Sequence, residues 1–77
     1  MTKQELMKDI GTKLKCELNK KSMSQNELAR QTGLSKSTIS DYIRGNKLMT
    51  MYNLTIICQV LECRFSDIAQ TVDYIER

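Results

Sequence analysis

The chain has 77 residues, 40% of them hydrophobic and 27% charged, with no histidine, proline or tryptophan and a formal charge of +3. At about 100–200 residues per typical domain, this is one domain over residues 1–77 with a thin core. Without histidine no Ser-His or Cys-His dyad and no His-bearing zinc site can be built, so neither catalytic residues nor metal ligands are expected.

Three glycines and the absence of proline point to helices joined by short turns. Over residues 3–20, Leu6, Ile10, Leu14 and Leu18 recur every fourth position among lysines, which reads as one long amphipathic helix. Ser24 and Glu27 have the spacing of a capping box, in which each side chain bonds the other residue's backbone N–H. A second helix is therefore expected from Gln25, carrying Leu28 and Ala29 inward and stopping at Thr32-Gly33. Ser35 is a good N-cap for a third helix, whose Ile39, Tyr42 and Ile43 face the core before Gly45 ends it. Two short helices joined by a glycine-containing turn make a helix-turn-helix unit, here over about residues 24–45. Thr50 caps a fourth helix with Met51, Leu54, Ile57, Cys58 and Leu61 on one face. A last helix from about Ser66 bears Ile68, Ala69, Val72 and Ile75. The fold class expected is all-α, a compact five-helix bundle.

Cys16, Cys58 and Cys63 are too few for a four-ligand zinc site. They read as reduced thiols, with Cys58 and Cys63 in the core and Cys16 beside the helix-one stripe. No segment resembles a signal peptide or a membrane span, so a cytoplasmic protein without a membrane partner is expected. Its charge is lopsided. Residues 1–47 carry Lys3, Lys8, Lys13, Lys15, Lys20, Lys21, Arg30, Lys36, Arg44 and Lys47 against Glu5, Asp9, Glu17, Glu27 and Asp41, a balance of +5. Residues 48–77 carry Arg64 and Arg77 against Glu62, Asp67, Asp73 and Glu76, a balance of −2. A basic front of this kind suits a polyanion such as nucleic acid.

The stretch from Ser24 to Gly45 resembles the helix-turn-helix of the Cro/lambda-repressor-like (Xre-type) family. Gln25 matches the opening of helix two, Ala29 the helix crossing, Gly33 the turn, Ser35 the cap, Ile39 the core and Gly45 the end. Leu54, Ile57, Cys58, Leu61 and Ile68 fall where the family usually has Leu, Ile, Ala, Leu and Leu, so the resemblance runs over about residues 10–70. The chain departs from the pattern at Leu18 and Ile43, where many members pair a buried Arg with a Glu. Both positions are apolar here, so the ion pair is replaced as a unit. It departs again at Lys47-Leu48-Met49-Thr50, which lacks the usual proline before helix four.

The resemblance implies a lambda-repressor-like fold that binds double-stranded DNA with helix three in the major groove. It assigns base reading to Lys36, Ser37, Ser40 and Asp41, with lysine suited to guanine O6/N7 and aspartate to cytosine N4. It assigns phosphate contacts to Gln25, Ser35, Thr38, Arg44, Asn46 and Lys47. The function implied is a sequence-specific transcriptional regulator, a repressor of bacterial or phage type. Alternatives on the same fold are a DNA-binding antitoxin and a protein-interaction adaptor. No cofactor, small-molecule ligand or enzymatic activity is expected. A homodimer is, with residues 66–77 as a possible dimerisation extension and half-sites about 34 Å apart.

Overall fold

The computed structural model describes residues 2–69, in which five α-helices surround one core. They are α1 (Lys3–Lys20), α2 (Gln25–Thr32), α3 (Lys36–Arg44), α4 (Met51–Leu61) and α5 (Phe65–Ile68). The apolar stripe of α1 is buried as its spacing predicts, with Leu6, Ile10, Leu14 and Leu18 all in the core. Leu28, Ile39, Tyr42, Leu54, Ile57, Leu61 and Ile68 close around them from the other helices. Ile43 is only half-buried and packs at the margin of this core.

The helix ends follow the side chains available. Thr2, Ser24, Ser35 and Thr50 each accept a hydrogen bond from the backbone N–H three residues on, at 3.0–3.1 Å. That satisfies one of the donors every helix start leaves open. Gly33 and Gly45 both adopt φ 78°, the left-handed region that glycine enters at no steric cost, and so end α2 and α3.

Four details differ from the sequence expectation. At α2 only half of the capping box forms: Ser24 accepts from the Glu27 N–H, but the Glu27 carboxylate turns along the helix to Arg30 and Gln31. A charged partner one turn away competes better than a neutral backbone N–H. The reciprocal box forms instead at α1, where the Thr2 N–H donates to Glu5 at 2.8 Å. Met51, expected in the core, is 49% exposed while Met49 is 2% exposed. The first turn of α4 overshoots the packed layer, and the preceding loop folds Met49 into the space. Finally, α5 begins at Phe65, its start held by the Arg64 N–H on the Asp67 carboxylate, and it ends at Ile68 because Ala69 is extended at φ −141°. Val72, Tyr74 and Ile75, placed on that helix by their spacing, lie outside the described residues.

The seat of α3 is set by α1. A Cβ added to Gly11 would meet the carbonyl oxygen of Ile43 and lie 2.6 Å from that of Tyr42, so the backbones of α1 and α3 approach as closely as glycine permits. One turn earlier the Lys8 stem lies across Gly45, where an added Cβ would be 2.9 Å from its Cγ. On the far side, the Asn53 amide of α4 donates to the Tyr42 hydroxyl at 2.7 Å. Held at its inner face and its C-terminal end, α3 presents its opposite face to solvent.

Candidate nucleic-acid interface

The outer face of α3 follows from its 3.6-residue period. Burying Ile39 and Tyr42 turns Lys36, Ser37, Ser40, Asp41 and Arg44 away from the core. These residues and the first turn of α2 line one open groove, formed by Gln25, Asn26, Lys36, Ser37, Ser40, Asp41 and Arg44. Six of the ten residues singled out from sequence thus converge on a single concavity. Asn26 is the residue sequence reading missed. Its signal was a polar amide at the second position of α2, next to Gln25 and opposite the buried Leu28 and Ala29.

Ser35 and Thr38 have a different setting. Ser35 Oγ accepts from the Thr38 N–H at 3.1 Å and donates to Thr38 Oγ1 at 2.8 Å. The Ser35 hydroxyl is therefore spent on the cap, whereas the Thr38 hydroxyl keeps its own proton to donate, and a helix start leaves the N–H groups ahead of Thr38 without intrahelical acceptors. Asn46 and Lys47 line a second concavity with Lys3, Gln4, Met7 and Leu48, where the start of α1 meets the loop after α3.

The groove is lined by polar and charged residues only and carries Lys36 and Arg44 against Asp41. Lys47 Nζ reaches Asp41 Oδ2 from the side at 3.9 Å. Beside the groove, the Arg30 guanidinium and the Gln31 amide hold the Glu27 carboxyl below its usual pKa, keeping α2 charged but internally paired. With nine residues α3 is about 14 Å long, and like any α-helix it is about 10–12 Å across, a width that a DNA major groove about 12 Å wide admits. Among the described residues no cluster of His, Cys, Asp or Glu is arranged to hold a metal ion, and no helix is long and apolar enough to cross a membrane.

A short helix pair crossing over a glycine turn, its second helix seated from behind and offering an open polar face, defines a helix-turn-helix DNA-binding domain. The chain belongs to the Cro/C1-type HTH DNA-binding domain family, whose model matches residues 13–73. Solved structures of the same fold include the restriction-modification controller protein C.AhdI from Aeromonas hydrophila. It is 22% identical, with a TM-score of 0.77 over 80% of this chain and 94% of that one. An HTH_3 family transcriptional regulator from Vibrio cholerae is 28% identical, with a TM-score of 0.81 over 87% of this chain and 38% of its own length. The clp gene regulator ClgR from Corynebacterium glutamicum is 25% identical, with a TM-score of 0.78 over 82% of this chain and 67% of that one. No curated protein sequence matches the chain. The fold is that of lambda-repressor-like DNA-binding regulators, and the family is one that binds DNA.

Proposed function

We propose that the protein is a sequence-specific transcriptional repressor that reads double-stranded DNA with α3 and acts by occluding a promoter. The observation that carries this reading is the single groove joining the start of α2 to the outer face of α3. In it Lys36, Ser37, Ser40 and Asp41 face base edges. Gln25 and Arg44 flank them toward the phosphates, with Asn26 beside Gln25. Ser35 and Thr38 contribute through the start of α3, where backbone N–H groups point outward toward an anion. Asn46 reaches the backbone on the far side of the groove, and Lys47 adds its charge beside Asp41. Two copies on paired half-sites about 34 Å apart extend the same reading to a palindromic operator.

The test is selection of duplexes from a pool with a randomised centre, followed by titration of the selected sequence at increasing salt. A reader of this kind returns a defined motif, and its affinity falls steeply as salt rises from about 50 to 200 mM. Lys36→Ala relaxes the motif, whereas Arg44→Ala weakens every sequence alike. Undetectable duplex binding at about 50 mM salt would reverse the conclusion in favour of an adaptor that has kept the fold.

A further inference from the structure

The end of α3 ties its outer face to the loop behind it. Gly45 reverses the chain, its N–H donates to the Tyr42 carbonyl at 3.2 Å, and the Asn46 N–H donates to the Asp41 carbonyl at 2.9 Å. These are the paired bonds of a Schellman turn, and the one that spans more of the chain is anchored on the backbone of Asp41 itself. The next residue, Lys47, is thereby returned to the side of the Asp41 side chain, with Nζ 3.9 Å from Oδ2. At that distance the pair is an electrostatic contact and not a hydrogen bond, so among the described residues neither carboxylate oxygen is hydrogen-bonded, and Asp41 lines the groove.

Stability is a poor reason for this pair. With side chains 59% and 34% exposed, an ion pair contributes little to folding. A bare carboxylate in a DNA-facing groove, on the other hand, is repelled by every phosphate it approaches. A cation on the Oδ2 side offsets that repulsion and leaves Oδ1 as the oxygen turned away from the lysine. Resting on the DNA-reading role above, we propose that Lys47 is a positioning residue for Asp41 and that the pair selects one base of the operator. Lys47 holds Oδ2 while Oδ1 accepts from the exocyclic amino group of cytosine. Adenine serves less well, because its N7 acceptor sits beside its amino group. Guanine and thymine meet the carboxylate with acceptors only and are rejected. Lys47 then determines which sequence is bound, where a plain phosphate anchor would set only how tightly.

The experiment compares motifs selected from the randomised duplex pool by wild type, Asp41→Ala, Lys47→Met, Lys47→Arg and the Asp41→Ala/Lys47→Met double variant. Circular dichroism confirms that each is folded, which the exposure of both side chains makes straightforward. Wild type is expected to favour cytosine at one position by at least about fivefold. Asp41→Ala loses that preference alone and binds random duplex several-fold more tightly. Lys47→Met loses the same preference, Lys47→Arg restores it, and in the Asp41→Ala background Lys47→Met changes affinity without changing the motif. Two results would overturn the proposal: a Lys47→Met motif identical to wild type with uniformly weaker binding, or an Asp41→Ala motif identical to wild type. Absence of any selected motif for wild type would overturn the underlying DNA-reading role instead, so the two failures are distinguishable.

Discussion

At position 11 even a methyl group has nowhere to go. The atoms it would meet are backbone carbonyls of α3, which cannot swing aside as a side chain can. In an ordinary helix interior, Gly→Ala gains up to about 1 kcal/mol of propensity. Here overpacking costs about 1–3 kcal/mol and reverses the sign. Gly11→Ala is therefore expected to lower the melting temperature by about 5–10 °C, and to loosen α3 enough to weaken duplex binding. Cys58 provides a second test. Burial, with the neighbouring Cys63 thiol, pushes its pKa from the usual 9.0 up to about 12. The folded state thus holds a proton that the unfolded chain releases above pH 9. The resulting stabilisation is complete below that value and fades as pH rises toward about 12. Urea midpoints measured across this window should fall more steeply for wild type than for Cys58→Ala. Exposed Cys16 should meanwhile label with a thiol reagent in the native protein before Cys58 does.

Among the elements, α3 depends on its neighbours for orientation. The Asn53–Tyr42 hydrogen bond, 2.7 Å long and partly buried, is its link to α4. Tyr42→Phe leaves the Asn53 amide short of an acceptor and should cost about 0.5–1.5 kcal/mol in chemical denaturation. Asn53→Ala should cost about as much, and the double variant less than the sum, since both remove one interaction. Helix boundaries were the legible part of this architecture, because Ser24, Ser35, Thr50, Gly33 and Gly45 carry their backbone roles in their own chemistry. The direction of the Glu27 side chain was not legible, since it was decided by competition between the Ser24 N–H and an Arg30 one turn away. Nor was the exchange of Met49 for Met51, because helical period says which side of α4 a residue lies on, not how far along α4 its neighbours reach. Six groove residues were found because they share the solvent face of α3 or open α2. Gly11 escaped notice because an isolated glycine inside a helical pattern reads as a weak helix former, and only the crossing of α1 with α3 shows what it accommodates.

For the molecule as a whole, charge and shape agree. The groove and the second concavity beside it both draw their cations from the +5 portion of the chain, from Lys3 through Lys47. Arg64, at the start of α5, belongs to the −2 portion and lines neither concavity. Arg44→Ala should accordingly reduce the slope of log affinity against log salt by about one, whereas Arg64→Ala should leave it unchanged. A fluorescence titration of the selected duplex at several salt concentrations measures both.

On the reading proposed above, α3 is mounted through parts that carry no sequence-reading information. Its start is closed by Ser35, its end by Gly45, and its back rests on the backbone at Gly11, with Ile39 and Tyr42 as its inner anchors. None of these touches the identities of residues 36, 37, 40 or 41. Those four positions can drift, duplicate and diverge without disturbing how the helix is held. If α3 reads DNA as proposed, one scaffold can in this way found a lineage of proteins with different operators, each new specificity reachable by single substitutions through folded intermediates. Solved structures that keep this fold at 22–28% identity have the degree of divergence such a mounting allows.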